Sequence, residues 1–451
     1  MDFYKRGEIM KNKSKYLLIL TFILITIMSF ENITFAQTIP TITSPNGVLL
    51  DYETGEVLFD KNAHMQTYPA STTKVMTAVL VLENANLDDK VTIDYDIYVD
   101  GSSMYLLKGE TFTVKELLSA LLIRSANDAA EALAIHVAGS VEGFVQMMNQ
   151  RAKELGALNT HFTNPHGLPD PNHVTTAYDL AMIAKHAMTF DIFREIVNTP
   201  MLIFEPTEQT PETRYYRNTN KFLWGTGRAN QILYNGKYID IKYDIIDGIK
   251  TGYTGEAGNC LISSGVQNNH RVISVVLGAE ALNVYSDSRT LIDYGHQNFK
   301  LTSLTNNNSD LIKAPIKNGT ENFVNLSVAN DKITIVPADT EIKNIKESIS
   351  INNEVKAPIS KGQVLGKLTY SLDGKVLGEI DLIAESDVKE EFILIRLLKL
   401  LKPSKTFIVL LSLFILWQIF VAYLRIQKRK RRSFSRRRKF PVYQFNRNLF
   451  K

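Results

Sequence analysis

The sequence predicts an α/β domain, with an antiparallel sheet flanked by helices, followed by a second, smaller all-β domain and a C-terminal transmembrane helix. A hairpin pattern, a block of helical patterns and a set of closely spaced strands follow one another up to about residue 298. Strand patterns then dominate, and residues 406–424 form a stretch of 19 residues without a charge. At 451 residues, the chain is long enough for two folded domains.

The first domain, residues 37–298, is expected to begin with a hairpin, because Val48–Leu50 and Val57–Phe59 flank a turn that contains a glycine. A helix is predicted from about Ser71 to Glu83. Its apolar residues lie on all sides, which indicates that this helix is buried.

Three further helices are predicted from their start signals, which are the capping box of Thr113 and Glu116, then Asp128, then Thr176. Strand patterns return near the end of the domain, and short turns bearing Gly and Asn separate them. Such turns favour antiparallel neighbours. The predicted strands are Gly248–Tyr253, Asn259–Gly265 and Val272–Leu277.

The second domain, residues 299–386, is predicted to be a small β domain, with Asn306–Ser309 near the boundary. Its strand patterns include a hairpin around Asp373-Gly374. The predicted strands are Phe323–Val328, Lys332–Val336, Leu365–Leu372 and Lys375–Ile383. No catalytic motif is recognisable in this part of the sequence.

Residues 1–36 are predicted to be a signal peptide, because lysines precede the apolar run Tyr16–Phe30 and Thr34-Phe35-Ala36 offers a cleavage site. An uncleaved membrane anchor is the alternative. Either interpretation predicts that the following domains are exported.

The C-terminal end is predicted to anchor the protein in the bacterial cell membrane. Residues 406–424 are a transmembrane candidate. The tail, residues 425–451, holds 12 basic residues and no acidic one, so the positive-inside rule predicts that it is cytoplasmic. Residues 387–405 form an amphipathic juxtamembrane segment that suits a helix in the membrane interface, broken by Pro403. A helix packed on the domain is the alternative for that segment.

Composition excludes several classes of protein. The net charge of +4 comes from the basic tail, and the chain carries no nucleic-acid-binding motif, so we expect no nucleic-acid partner. The single cysteine, Cys260, excludes an intramolecular disulfide and lies in an apolar strand pattern, which favours a buried hydrophobic role. No spaced His or Cys cluster predicts a metal, and no cofactor is implied.

Three short motifs indicate nucleophilic catalysis. Ser71 and Lys74 lie three apart at the start of a buried helix, so a hydroxyl and an amine share one face. Ser125-Ala126-Asn127 falls at a predicted break between two helices, and Lys250-Thr251-Gly252 lies on a strand. The first motif alone is weak evidence. The three in this order match the signature of the serine penicillin-interacting enzymes.

Longer runs around these motifs resemble the D-alanyl-D-alanine carboxypeptidases, the low-molecular-mass penicillin-binding proteins of peptidase family S11. The resemblance covers residues 40 to about 390 and implies a β-lactamase/transpeptidase-like fold. The matching runs are Tyr68–Lys74, Arg124–Ala130, Asn164–Pro169 and Asp247–Thr254. The family acts on peptidoglycan stem peptides, removes their terminal D-alanine and binds β-lactam antibiotics covalently.

The resemblance also implies a role for each motif residue. Ser71 would be the acylated nucleophile, Lys74 its proton acceptor and Ser125 a proton relay to the leaving D-alanine. Asn127 would bind the substrate backbone, while Lys250 and Thr251 would hold the terminal carboxylate. Gly252 would let the substrate backbone approach closely, and the N–H groups of Ser71 and Tyr253 would form the oxyanion hole.

Two features depart from the family pattern. Residues 225–244 form a polar insert that we expect to reshape the cleft, and a charge-free span with a basic tail replaces a simple amphipathic anchor. His166, in a Pro-His-Gly turn, is expected to structure its loop.

Two other functions compete with the carboxypeptidase. A β-lactamase shares the three motifs, but no Glu-x-x-Leu-Asn pattern lies between Asn127 and Lys250. A non-enzymatic sensor of cell-wall peptides would not need the intact motifs. Endopeptidase and transpeptidase activities stay open, because the same acyl-enzyme precedes each of them.

Overall fold

The computed structural model describes residues 39–305, 312–400 and 403–436. The predicted signal peptide, the Asn306–Ser309 boundary and the last residues of the basic tail lie outside them. Two compact units are present. The first comprises the chain up to Ser303 together with Ile333–Ile342, and the second comprises Leu304–Lys332 and the residues from Lys343 onward.

The first unit combines a central sheet with helices. Its helices are α1 (Lys74–Asn84), α2 (Val114–Ser119), α3 (Asn127–Ala138), α4 (Val141–Glu154), α5 (Ala177–Ala187), α6 (Asp191–Val197) and α7 (Asn283–Asn298). Its strands are β1 (Asn46–Asp51), β2 (Val57–Lys61), β3 (Lys90–Thr92), β4 (Thr111–Thr113), β5 (Met201–Phe204), β6 (Arg214–Arg217), β7 (Gln231–Tyr234), β8 (Lys237–Asp240), β9 (Ile246–Thr254), β10 (Gly258–Gln267), β11 (His270–Ala279), β12 (Phe299–Ser303) and β15 (Ile333–Pro337).

The central sheet is antiparallel and has the strand order β2-β1-β11-β10-β9. The strands β10 and β11 are buried along most of their length, because apolar side chains cover both faces of the sheet. One core holds most of the helices, including α1, which is buried from Lys74 to Val81. The other core lies under α7. The strand β9 is an edge strand, so one side of its backbone is open to another chain.

The predicted order of elements in this unit is confirmed. The N-terminal hairpin, the capping box of Thr113 and Glu116, the helix capped by Thr176 and the three antiparallel strands are all present. The predicted start of the first helix at Ser71 is wrong, because Ala70–Thr73 form a 3₁₀ turn and the α-helix begins at Lys74. Ala70 has a φ of 48°, which a right-handed helix cannot include.

The second unit contains the predicted small β domain. Its antiparallel sheet has the order β13-β14-β18-β17-β16 and a core of its own. Its strands are β13 (Ile312–Pro315), β14 (Phe323–Val328), β16 (Lys346–Ile351), β17 (Val364–Leu372) and β18 (Lys375–Ala384). The predicted strand Lys332–Val336 is present as β15, but it pairs with β12 in the first unit. The sequence pattern could not reveal this pairing, because the two strands lie about 30 residues apart.

Two helices follow the small β domain, α8 (Ile393–Leu400) and α9 (Pro403–Arg436). The predicted break before Pro403 falls on residues 401–402, which lie outside the described residues. Within the described residues, one stretch of helix is long and apolar enough to cross a membrane, Phe407–Arg431 in α9.

Candidate active site

The first motif lies on a tight turn at the edge of the sheet. Ser71 belongs to the 3₁₀ turn, and Lys74 is the first residue of α1. The Lys74 Nζ is 3.0 Å from the Ser71 Oγ, and the Lys74 side chain is fully buried. The turn is held by Thr72, whose hydroxyl donates to the Pro69 carbonyl at 2.6 Å. The predicted pairing of hydroxyl and amine on one face is therefore present.

The surroundings of Lys74 favour its neutral form. Its Nζ lies 2.6 Å from the Asn127 Oδ1 and 2.7 Å from the His166 carbonyl oxygen. Burial lowers the pKa of Lys74 well below its usual value, the nearby Lys250 ammonium lowers it further, and Asp128 opposes them. Both carbonyl oxygens can only accept, so a neutral amine donates to each and directs its lone pair at Ser71.

The second motif begins where a helical segment ends. Residues 120–124 form a π-helical turn, and Ser125 follows with a left-handed φ of 65°. Asn127 then starts α3. Its backbone N–H donates to the Ser102 carbonyl at 2.7 Å, and its side-chain amide donates to the Asp100 carbonyl at 2.5 Å. These two bonds fix the side chain that contacts Lys74.

The loop that accepts these bonds is itself held by Asp128. The buried Asp128 carboxylate accepts from the Ser103 hydroxyl at 2.6 Å and from the backbone N–H groups of Met104 and Leu106 at 3.1 and 2.9 Å. The motif pattern did not identify this role. A buried carboxylate directly after the motif has to find hydrogen-bond donors, and the loop supplies them.

The third motif lies on β9 and approaches the nucleophile directly. A side chain at Gly252 would place its Cβ 2.9 Å from the Ser71 backbone nitrogen and 3.1 Å from the Thr72 nitrogen. Glycine is therefore needed at this position. Thr251 faces the other way, and its hydroxyl donates to the Thr219 hydroxyl at 2.7 Å. Tyr253 is 67 % exposed at the end of the strand.

Lys250 lies on the same face of β9 as Gly252. Its side chain is 1 % exposed, and its Nζ donates to the Thr251 carbonyl oxygen at 2.9 Å. Burial lowers its pKa to about 7. Two lysines with lowered pKa values therefore lie behind Ser71.

Two histidines support the turn that carries Ser71. The ring of His166 lies 3.6 Å from the Glu131 carboxylate, and burial lowers its pKa. His173 is buried with a pKa of about 3, also lowered first by burial. Its Nδ1 accepts from the Thr163 backbone N–H at 3.0 Å, so the Nε2 carries the proton and donates to the Thr73 hydroxyl at 2.8 Å.

A cleft of about 400 Å³ joins these elements. Ser71, Ser125, Thr251, Gly252 and Tyr253 line it, so the three motifs meet as the sequence predicts. The cleft is also lined by residues that no motif marked, among them Ser102, Thr219, Lys221 and Tyr285. Cys260 lies in the wall with a side chain that is 1 % exposed, and burial raises its pKa to about 11.

The insert at residues 225–244 forms the β7–β8 hairpin and packs against α7. The hydroxyls of Tyr234 and Tyr243 both donate to the Asp293 carboxylate at 2.5 Å, and the Arg289 guanidinium lies over both rings. Among the described residues that line the cleft, none belongs to the insert. We expected the insert to reshape the cleft, but the lining residues Thr219 and Lys221 come from the segment just before it.

The arrangement can carry out nucleophilic acyl transfer. It provides a hydroxyl, a neighbouring amine that favours its neutral form, and an open strand edge along which a peptide can lie. Within the described part of the chain, no three His, Cys, Asp or Glu side chains form a group that could hold a metal ion.

Comparison with known proteins agrees with this geometry. Residues 33–281 match the family of D-alanyl-D-alanine carboxypeptidases, and residues 299–390 match the C-terminal domain of penicillin-binding protein 5. The D-alanyl-D-alanine carboxypeptidase DacF of Bacillus subtilis is 34 % identical over 352 residues, which is 76 % of this chain and 86 % of DacF. DacA of Haemophilus influenzae is 34 % identical over 376 residues, 80 % of this chain and 90 % of DacA.

Solved structures are similar over both units. Penicillin-binding protein 5 from Haemophilus influenzae superposes with a TM-score of 0.65 at 31 % identity, covering 78 % of this chain and 99 % of that one. Penicillin-binding protein 6B from Escherichia coli gives a TM-score of 0.59 at 29 % identity, with the same two coverages, 78 % and 99 %. The fold is therefore β-lactamase/transpeptidase-like, with a smaller all-β domain after it.

Proposed function

Because this chain belongs to the family of D-alanyl-D-alanine carboxypeptidases, serine peptidases of family S11, we propose that it hydrolyses peptidoglycan stem peptides through an acyl-enzyme on Ser71. It removes the terminal D-alanine of the pentapeptide stem. The observation that carries this proposal is the contact between Ser71 and the buried Lys74 amine, 3.0 Å apart.

Acylation begins when the Ser71 Oγ attacks the carbonyl carbon of the penultimate D-alanine. The Ser71 proton passes to the lone pair of Lys74, and the oxyanion accepts from the backbone N–H groups of Ser71 and Tyr253. The peptide C–N bond then breaks. The leaving amine takes the Lys74 proton through Ser125, which returns Lys74 to its neutral form, and free D-alanine departs.

Deacylation reverses these roles. A water molecule gives a proton to the neutral Lys74 amine and adds to the ester carbonyl. Lys74 then returns this proton to the Ser71 oxygen as the ester bond breaks. The products are a tetrapeptide and the original enzyme. Lys74 is therefore neutral before each of the two attacks.

The edge of β9 holds the substrate beside Ser71. The stem peptide adds to this edge as a short strand, at the point where Gly252 brings β9 close to the Ser71 nitrogen. Asn127 hydrogen-bonds the peptide backbone, and the Thr251 hydroxyl, with Lys250 behind it, holds the terminal carboxylate. The same groups accept the carboxylate and strained amide of a β-lactam, which acylates Ser71 in place of the stem peptide.

Release of D-alanine tests the proposed activity. The full chain, solubilised in detergent, is incubated with a pentapeptide ending in D-Ala-D-Ala, and released D-alanine is measured. We expect one D-alanine for each tetrapeptide formed, and no release from the same peptide ending in L-Ala-L-Ala. A folded protein that releases no D-alanine would contradict the carboxypeptidase function.

We further propose that α9 anchors the enzyme in the cytoplasmic membrane, with both folded units outside and the basic tail in the cytoplasm. The apolar stretch Phe407–Arg431 and the basic residues at its C-terminal end support this orientation. The exposed apolar side chains of Phe392, Ile393 and Leu394 at the start of α8 suit the membrane interface.

Proteolysis of intact protoplasts tests the orientation. Added protease should remove the folded units and spare an epitope placed after Lys439, because the membrane protects the cytoplasmic side. Permeabilised cells are the control, and they should lose the epitope. Loss of the epitope from intact protoplasts would show that the topology is reversed.

A further inference from the structure

The cleft wraps around the edge strand β9 and has two chemically different sides. Gly252 and Lys250 pair with Cys260 and Ile262, which belong to the core beneath α1. Thr251 pairs with Leu261, which belongs to the core beneath α7. The nucleophile therefore lies at one face of the strand, and the Thr251 hydroxyl points to the other face.

A lysine that no motif marked lines the same cleft as Thr251. Thr251 is bonded to the Thr219 hydroxyl, and Lys221, two residues after Thr219, lines the same cleft. Within the described residues, the Lys221 ammonium has no hydrogen-bond or ion-pair partner. The other two lysines of the site already have hydrogen-bond partners, since Lys74 contacts three oxygens and Lys250 donates to the Thr251 carbonyl.

The backbone beneath Lys221 is fixed by several contacts. Lys221 begins a short 3₁₀ turn, and the buried Asn220 side chain caps this turn by accepting from the Phe222 backbone N–H at 3.1 Å. The Lys221 N–H donates to the Tyr285 hydroxyl at 3.2 Å, and that hydroxyl lies 3.4 Å from the Thr219 carbonyl. Phe222, the next residue, is fully buried. The backbone of Lys221 is therefore held in place, while its side chain lines the cleft.

We propose that Lys221 is a specificity-determining residue of this cleft, whose ammonium pairs with the C-terminal carboxylate of the substrate beside the Thr251 hydroxyl. This inference rests on the proposed function, because it names the group that recognises the end of the stem peptide. A carboxylate bound at this face takes one hydrogen bond from a hydroxyl and one from a cation, and the second of these is charge-assisted. Lys250 then contributes its positive charge from its buried position on β9, where it donates to the Thr251 carbonyl.

The test compares acids with their neutral analogues. The parent enzyme, Lys221→Gln and Lys221→Arg are assayed on a D-Ala-D-Ala peptide with a free carboxylate and on its C-terminal amide. We expect Lys221→Gln to lower kcat/KM for the acid about 10-fold to 100-fold, mainly through KM, the range for one hydrogen bond to a charged group. The amide should be unaffected, and Lys221→Arg should restore most of the preference for the acid.

A second readout does not depend on peptide hydrolysis. Acylation of Ser71 by benzylpenicillin should slow in Lys221→Gln, and acylation by its methyl ester should not, because the ester lacks the carboxylate. The matched control is Lys237→Gln, an exposed lysine of the neighbouring hairpin, which should behave as the parent.

The outcomes separate the two proposals. If the parent reacts normally and Lys221→Gln keeps the full preference for acids over neutral analogues, Lys221 does not bind the carboxylate and the proposed function stands. If the parent neither releases D-alanine nor reacts with penicillin, the proposed function fails, and the role of Lys221 fails with it.

Discussion

Ser71→Ala should abolish both the covalent labelling of this protein by penicillin and the release of D-alanine. The parent is expected to bind one labelled penicillin per chain, on the peptide that contains Ser71. The ester should be long-lived, because the opened ring keeps the leaving amine tethered beside the bond that water has to attack. Without the Ser71 hydroxyl, the site has no nucleophile at this position.

The labelled peptide is identified by mass spectrometry after digestion. Ser286→Ala is the matched control, because Ser286 lies in α7 and donates only to a carbonyl of its own helix. It should label as the parent does. Label on another peptide in Ser71→Ala would show that the nucleophile is misassigned. Rapid turnover of penicillin without an adduct would favour a β-lactamase.

The local parts of the active site could be predicted from the sequence. Ser71 and Lys74 lie on one turn, so their spacing in the chain largely determines the 3.0 Å contact between them. Gly252 was expected to admit the substrate backbone, and the structure gives this glycine a further role, since a side chain there would meet the Ser71 backbone nitrogen at 2.9 Å. Only the Ser71–Lys74 contact joins residues that are neighbours in sequence, and the approach of Gly252 to Ser71 depends on the tertiary fold.

The remaining parts depend on tertiary packing that no local pattern encodes. Thr219 and Tyr285 lie 66 residues apart, and they meet because a short turn and the start of α7 pack beside the same edge strand. The position of the insert is another example. The insert was expected to reshape the cleft, but its Tyr234 and Tyr243 hydroxyls both donate to Asp293 on α7.

The backbone of the nucleophile turn could not be predicted either. The sequence predicted a first helix from about Ser71, but Ala70 takes a left-handed φ and the turn tightens to 3₁₀ geometry. Contact with a distant loop accompanies this change, since a side chain at Gly167 would place its Cβ 1.8 Å from the Ala70 carbonyl oxygen. Ser71 therefore lies outside the α-helix, at the edge of the cleft.

Lys74→Met should lower the rate of Ser71 acylation by about 10²-fold to 10⁴-fold, the usual contribution of a positioned general base. Lys74 contacts Ser71 at 3.0 Å, and burial keeps its pKa well below the usual value, which favours the neutral amine that accepts the proton. Methionine is unbranched, has a similar length and has no base. Because the substitution removes a buried amine, we expect the variant to stay folded by circular dichroism.

The dependence on pH provides the second half of this prediction. Acylation needs neutral Lys74, so the rate should rise with pH as Lys74 loses its proton. The positive charge on Lys250 disfavours a proton on Lys74, and its removal in Lys250→Met therefore raises the pKa of Lys74. The rising limb of the rate against pH should then move to higher pH. The test measures the rate of penicillin labelling over the pH range in which the rate rises. Lys74 is not the base if the rising limb does not move in Lys250→Met, or if Lys74→Met labels as fast as the parent.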